Sequence, residues 1–237
     1  MGAQTSKTRR LFPSIFGTVA LLLSAPAARA DEPVFTDSFM LSHCTFSTTG
    51  SNAYFVLEPG YFQVLEGEDA GDRVMVRITV LHETVEIRGI AARVVEERET
   101  RNGELTEVSR NYFVFCNETK SVFCAGESVD FYEDGVVVGH EGTWLAGAAG
   151  ARGGLQMPGL PLVGARYYQE NAPGVAQDRA EIVSVSGTVD TPAGRFVRCV
   201  VVHESMEEAP DGDDKIYAPG VGIVKDGNLV LTGYGYE

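Results

Sequence analysis

The feature that most constrains the fold is a hydrophobic period of two residues that recurs along most of the chain. Residues 74–81 are rich in β-branched side chains, and residues 84–87 alternate apolar and polar side chains before a turn at Arg88-Gly89. Such patterns predict β-strands, because successive side chains of a strand point to opposite faces of a sheet. No segment shows a comparably strong helical period.

Turn signals between these segments predict consecutive antiparallel hairpins. Asn102-Gly103 separates residues 91–100 from residues 105–109, and Asn-Gly is a preferred two-residue hairpin turn. The same arrangement recurs at residues 131–138 around Asp134-Gly135, at residues 181–202 around a turn at 191–194, and before a closing strand at 228–231. We therefore predict a mainly β protein, with one domain of consecutive antiparallel hairpins forming a curved sheet or partly closed barrel.

The segment 139–174 departs from this pattern. It is rich in glycine, proline and alanine, and it holds the single tryptophan of the chain. Long segments without periodicity are usually functional or disordered, and the aromatic content argues against disorder. We expect an ordered Gly/Pro-rich excursion over one mouth of the sheet. Its predicted ligand-binding residues are Trp144, Met157, Tyr167 and Tyr168, and the alternative is a plug that caps the core.

The first thirty residues have the features of a signal peptide. Lys7, Arg9 and Arg10 precede an apolar run, and Ala28-Arg29-Ala30 is a small-residue cleavage signal. Pro13 and other breaks leave the run too short for a retained membrane span. We predict a signal peptide at 1–30, an N-terminal segment at 31–52 tied by Cys44, and an antiparallel β domain at 53–237. The expected location is periplasmic or secreted, with the export route left open.

The net charge of the chain limits the classes of partner that it can bind. The formal net charge is −14, and loss of the signal peptide takes it to −18 because four positive and no negative residues are removed. A surface this acidic repels nucleic acid and anionic lipid. We therefore expect an acidic protein with no nucleic-acid partner, while attraction of cations stays an alternative to a merely soluble surface.

All four cysteines lie after residue 30, and an even number in an oxidising destination predicts disulfides. Three pairings are formally possible. Cys116 and Cys124 flank a polar turn, which would place them opposite each other on a hairpin and leave Cys44 with Cys199. Whether Cys44 pairs with Cys199 stays open. The competing interpretation is a soft copper or zinc site formed by His43, Cys44, Cys199 and His203.

The sequence carries no catalytic signature. A Gly-x-Ser-x-Gly elbow, a Gly-rich phosphate loop and a Cys-x-x-Cys pair are all missing. His82-Glu83 and His203-Glu204 begin strings similar to a zinc-protease motif, but they lie in β-patterned sequence where residues three apart point to opposite faces. Adjacent acids such as Glu96-Glu97 also diverge in a strand. We predict no catalytic residue, no metal ligand and no cofactor.

Several blocks carry a family resemblance. They include Tyr54–Gly60, the Asn-Gly hairpin at 102–107, Glu141–Gly147, and Tyr217-Ala218-Pro219-Gly220-Val221-Gly222-Ile223-Val224. From about Ala53 to Lys225, these blocks resemble in order an uncharacterised family of exported bacterial β-rich proteins. Residues 116–124 differ from the turn found at this place in that family, so the predicted Cys116–Cys124 disulfide looks like a feature of this chain alone. The resemblance implies one antiparallel β domain in the envelope or outside the cell, and brings no activity.

These observations favour an exported soluble binding or interaction module of the cell envelope, which holds a small or apolar ligand. The sequence does not identify a protein partner. Two alternatives stay open: an envelope hydrolase with an unrecognised active site, and a protein that binds copper or zinc. An enzyme is the less favoured class, because it would need a converging polar cluster that no motif in this sequence indicates.

Overall fold

A computed structural model describes residues 33–206, 209 and 211–237, so the predicted signal peptide lies outside the described residues. The elements are a short 3₁₀ helix at Leu41–His43 and sixteen strands: β1 Phe46–Ser47, β2 Tyr61–Asp69, β3 Asp72–Ile87, β4 Ile90–Arg101, β5 Glu104–Cys116, β6 Val122–Glu133, β7 Val136–Gly139, β8 Trp144–Leu145, β9 Arg152–Met157, β10 Arg166–Tyr168, β11 Glu170–Asn171, β12 Arg179–Thr191, β13 Gly194–Ser205, β14 Asp213–Ala218, β15 Gly222–Asp226 and β16 Leu229–Tyr236. This part of the chain contains no helix with the length and apolarity needed to cross a membrane.

The strands form one antiparallel sheet that curves into a nearly closed barrel, which confirms the predicted fold class. Strands β2 to β6 pair with one another in chain order, and so do strands β12 to β16. The two series are joined by hydrogen bonds between β16 and β2. Because neighbours in sequence are neighbours in the sheet, short hairpins account for most of the topology.

Both predicted two-residue turns are confirmed. Asn102 and Gly103 have φ angles of 52° and 88°, and Asp134 and Gly135 have φ angles of 51° and 75°. A type I′ turn needs positive φ at both central residues, which asparagine, aspartate and glycine tolerate best. Each turn therefore sets the register of its hairpin, with Arg101 opposite Glu104 in the first and Glu133 opposite Val136 in the second.

The Gly/Pro-rich segment 139–174 is ordered, as predicted. Much of it forms strands in the barrel wall, however, instead of lying over one mouth of the sheet. Strand β10 pairs with β12, and β11, which follows it after one residue, pairs with β9. The stretch Arg166–Asn171 therefore spans the two edges of the sheet. The chains approach closely here, since a Cβ atom on Gly154 would lie 2.0 Å from the Gln169 carbonyl oxygen. Glycine at this position permits the closure.

The sheet buries apolar side chains on both faces. The main core fills the barrel interior, with Leu57, Leu65, Phe115 and Val200 almost fully buried. A smaller outer cluster contains Ile87, Ala92, Val114, Cys116 and Phe123, and Phe39, Leu41 and Phe46 pack against it. The N-terminal segment is therefore part of the fold, because it covers an apolar patch on the outer wall.

The disulfide joins Cys44 to Cys116, with their Cα atoms 5.1 Å apart, so both predicted pairings are wrong. Cys124 and Cys199 are buried free thiols. Cys116 belongs to the outer cluster, whereas Cys124 faces the interior core, so the sheet separates the two sulfurs. Strand β1 pairs Phe46 with Cys116, which brings Cys44 alongside. A disulfide in this position fits an oxidising, non-cytoplasmic compartment.

Candidate functional site in the barrel interior

The inner face of the barrel changes from apolar to charged along its strands. On β4, Val95 and Glu97 lie on the same face because they are two residues apart, and both line one interior cavity. On the paired strand β5, Phe113 lines the same cavity, and Glu107 and Ser109 follow at the other end. One end of the barrel is therefore apolar inside and the other end is acidic.

The apolar end contains a small cavity, in which about 80 Å³ is open to a water-sized sphere. Phe55 contributes to its wall and meets Phe113 edge to face, with ring centroids 5.0 Å apart. Tyr61 is held by a 2.7 Å hydrogen bond that its hydroxyl donates to the Val221 carbonyl. The other apolar lining residues are Val56, Leu65, Val76, Ile78, Val80, Val95, Ile223 and Leu229. The polar lining residues are Gln63, Glu97, Gln156, Lys215, Tyr217 and Asp226, so the cavity combines an apolar wall with polar groups.

The acidic end is a second cavity of about 910 Å³, including its opening. Its charged lining residues are Asp69, Glu97, Glu99, Arg101, Glu107, Asp213 and Asp226. Glu97 and Asp226 line this cavity and the apolar one, as do Val76 and Leu229. The two cavities therefore adjoin each other at these four side chains, and carboxylates line the acidic one.

Lys215 stands at this boundary and is already paired. Its Nζ lies 2.9 Å from a Glu204 carboxylate oxygen and 3.5 Å from an Asp226 carboxylate oxygen. Glu204 also accepts hydrogen bonds from the Gln169 amide at 2.9 Å and from the Tyr217 hydroxyl at 3.3 Å. This network fixes Glu204, Lys215 and Tyr217 on the inner face, because each makes a charge-assisted contact in a partly dry environment.

Burial strongly affects the acids of the interior. Removal from water raises the pKa of Glu97 to about 7, with nearby Asp226, Glu107 and Glu204 adding to the effect and Lys215 opposing it. Burial also raises the pKa values of Asp226 and Glu107. Deeper in the barrel, burial raises the pKa of Glu170, with a contribution from Glu127. Glu97 can therefore change protonation state near neutral pH.

Two cross-strand pairs bring like charges together. Glu99 lies directly opposite Glu107, and Glu204 lies directly opposite Asp213. Like charges at opposite positions destabilise a sheet, and such local conflicts are typical of functional sites. Arg101 reduces the repulsion between Glu99 and Glu107, because its guanidinium lies 2.8 Å from a Glu99 carboxylate oxygen. The acidic mouth is therefore an arrangement that folding alone does not favour.

The pKa of Glu97 predicts that stability decreases as the pH rises from about 5 to about 8. Up to about pH 7 the folded protein keeps most of the Glu97 proton, whereas the unfolded chain, with an ordinary pKa of 4.5, loses it. Raising the pH through the folded pKa therefore removes roughly 2 kcal/mol of stability. Urea unfolding at both pH values measures the drop.

The isosteric variant Glu97→Gln should reduce the measured drop by roughly 2 kcal/mol, because it cannot ionise, while Glu127, whose pKa burial also raises to about 7, keeps its own contribution. Glu86→Gln provides the matched control, since Glu86 is an exposed glutamate on the neighbouring strand β3. An equally steep decrease in the Glu97→Gln protein would show that Glu97 is not the group responsible.

The four predicted ligand-binding residues lie elsewhere in the barrel. Trp144, Met157 and Tyr167 are buried in the main core, and Tyr168 is half-buried with its ring edge to face against Phe35. None of them lines the two interior cavities described above. That they bind a ligand stays a prediction. The indole N–H of Trp144 faces the Glu170 carboxyl but does not reach full hydrogen-bond geometry. It opposes in part the rise in pKa that burial causes at Glu170.

The histidines do not converge. His43 and His82 are exposed, His140 lies 2.8 Å from Asp130, and His203 lies 3.0 Å from Asp214. These pairs stand at separate places on the surface. The hypothetical copper or zinc site at His43, Cys44, Cys199 and His203 is wrong in its ligand set, because the Cys44 sulfur is bonded to Cys116 and Cys199 is buried in the core.

A third cavity lies on the outer wall, beneath the N-terminal segment. It measures about 1220 Å³ including open solvent, and its lining is mostly apolar. Phe39, Phe46 and Phe123 form part of that lining, with Phe39 and Phe123 5.6 Å apart between ring centroids. This groove has no acidic cluster comparable to the one at the barrel mouth. It is therefore the alternative location to compare with the interior when the position of a bound ligand is determined.

Adjacent acids in the sequence do not indicate the interior carboxylate cluster, because neighbouring side chains of a strand point to opposite faces. Glu96 and Glu97 do diverge, with Glu96 bonded to Arg110 on the outer face at 3.0 Å. The useful signal was the spacing of two, which puts Glu97 and Glu99 on the same face as the buried Val95. Which face lies inside follows from the curvature of the whole sheet, and no local pattern gives that.

Comparisons with known proteins give no relative that could assign this site. No protein-family model matches the chain, and neither the curated proteins nor the solved structures contain a significant match.

Proposed function

We propose that the protein is an exported binding module of the cell envelope, periplasmic or secreted, which holds a small ligand inside its barrel. The observation that carries this proposal is the pair of adjoining interior cavities, one with many apolar lining residues and the other lined by carboxylates. An amphipathic ligand would place its apolar part among Phe55, Val80 and Phe113. Its polar end would lie beside Glu97 and Asp226.

The dimensions of the site support this proposal. Ligand cavities typically measure about 300 to 1,000 Å³ and combine an apolar lining with a few well-placed polar groups. Counted as space open to a water-sized sphere, the acidic cavity of about 330 Å³ falls in that range, and the adjoining apolar cavity adds about 80 Å³. The signal peptide predicted at 1–30 and the Cys44–Cys116 disulfide support export.

A hydrolase acting on envelope material is the second candidate. Glu97 favours it, because a carboxyl with a pKa of about 7 is suited to act as a general acid near neutral pH. This candidate predicts that Glu97→Gln abolishes turnover of the substrate. A binding module predicts that the same variant changes affinity and that no turnover occurs in the wild type.

The binding proposal can be tested by blocking the boundary between the two cavities. Val76 lines both of them, so the larger side chain of Val76→Trp should fill space where they adjoin. The measured quantity is the fluorescence increase of N-phenyl-1-naphthylamine, an apolar dye that brightens in a dry cavity. We expect saturable binding to the wild type and at least a tenfold weaker affinity in the variant.

Met75→Trp is the matched control, because Met75 precedes Val76 on β3 and points to the opposite face. It should bind the dye as the wild type does. Equal binding by both variants, with both shown to be folded by circular dichroism, would place the dye outside the interior and count against the proposal.

A further inference from the structure

We infer that the interior site selects a ligand with an organic cationic head and an apolar tail, with Glu97 and Asp226 receiving the head. This inference rests on the proposed function, since it names the chemical class that the same cavity would take. It follows from the charges that line the space and from the partners those charges already have.

The positive side chains that line the two cavities are Lys215 and Arg101, and both are engaged. Lys215 lies between Glu204 and Asp226, as described above. The Arg101 guanidinium is 2.8 Å from a Glu99 oxygen and 3.0 Å from an Asp69 oxygen. An anionic head would therefore find no uncommitted cation among these lining residues, and it would meet several carboxylates at close range.

The negative side chains exceed what these two cations can pair. Six carboxylates line the acidic cavity, and Glu204 adds a further one beside Lys215. Glu97 accepts a long hydrogen bond of 3.4 Å from the Asn111 amide and has no ion pair within 4 Å among the described residues. A bound cation would stabilise the ionised form of this carboxyl, which burial now disfavours.

The arrangement of the acids favours an organic head over a bare metal ion. Among the described residues, the group whose ligand atoms lie close enough to hold a metal is Cys44, Cys116 and Glu118, and its two sulfurs are already bonded to each other. The interior carboxylates are spaced too widely for such a cluster. A substituted ammonium can instead contact several dispersed carboxylates while its chain enters the apolar end.

Three probes with the same decyl chain test the inference: decyltrimethylammonium, 1-decanol and decanoate, each below its micelle concentration. Calorimetric titration at about pH 8 gives their affinities for the intact mature protein. We expect decyltrimethylammonium to bind at least tenfold more tightly than 1-decanol, and decanoate to bind most weakly. In Glu97→Gln and Asp226→Asn, the preference for the cation should fall below about threefold while affinity for 1-decanol changes little.

Glu86→Gln, on the same barrel but exposed, should keep the wild-type preference. Equal or tighter binding of 1-decanol would overturn the cationic head and leave the binding function standing, and so would preferred binding of decanoate. Binding of none of the three probes would contradict both the inference and the proposed function. A cation preference that persists in Glu97→Gln and in Asp226→Asn would overturn the role of these carboxylates.

Discussion

Replacing both Cys44 and Cys116 with serine is expected to lower the free energy of unfolding by about 4 kcal/mol. The bond closes a loop across a sequence separation of 72 residues, and chain-entropy arguments give about this value for a loop of that length. The bond also holds the N-terminal segment on the outer wall, where Phe46 packs near Phe123 with ring centroids 6.4 Å apart. Urea unfolding of the variant and the wild type measures the difference.

The wild type in excess dithiothreitol should behave as the double variant does, and the double variant should not respond to the reductant. Thiol mapping adds an independent check. Native protein should show Cys44 linked to Cys116, and it should react slowly with maleimide because Cys124 and Cys199 are buried. Recovery of a Cys116–Cys124 peptide, or a stability loss below about 1 kcal/mol, would contradict this assignment.

Replacing Lys215 with methionine is expected to cost about 2 kcal/mol of stability. The substitution leaves Glu204 and Asp226 close to each other without the cation between them. Because these side chains are partly exposed, the cost falls between the roughly 3 to 5 kcal/mol of a buried pair and the about 1 kcal/mol of a surface pair. The loss should be larger at about pH 8 than at about pH 5, because protonation of the raised-pKa acids relieves the repulsion. Urea titrations at both pH values test this.

Arg166→Met is the matched control, since Arg166 forms an exposed ion pair with Glu181 at 2.7 Å. Such surface pairs contribute at most about 1 kcal/mol. Adding Glu204→Gln to Lys215→Met should restore part of the lost stability, because it removes one of the unpaired charges. A loss in Lys215→Met no greater than that in Arg166→Met would show that the interior network is not a stabilising centre.

Much of the fold could be predicted from local sequence, because the topology is itself local. The period of two located the long strands, and Asn102-Gly103 and Asp134-Gly135 located two of the turns that connect them. The closure of the barrel could not be predicted in this way. It depends on the stretch Arg166–Asn171 pairing with β12 through β10 and with β9 through β11, and the Gly/Pro-rich sequence of this segment carries no period that indicates these pairings.

The disulfide and the interior site were missed for a related reason. Proximity along the chain favours a bond between Cys116 and Cys124. These two side chains point to opposite faces of the sheet, however, and strand β1 brings Cys44 to the outer face beside Cys116. The acids at the barrel mouth come from strands β2, β4, β5, β14 and β15. A site assembled from so many strands becomes visible when the curvature of the sheet is known.

The central claim is that the ligand lies inside the barrel, with its apolar part at the apolar end and its head at the carboxylates. A crystal structure with a decyltrimethylammonium analogue brominated at the chain terminus tests this most directly, because anomalous scattering locates the bromine. We predict one bromine peak among Phe55, Val80 and Phe113, with the ammonium beside Glu97. A peak confined to the outer groove at Phe39, Phe46 and Phe123, or an interior free of the probe at saturating concentration, would contradict it.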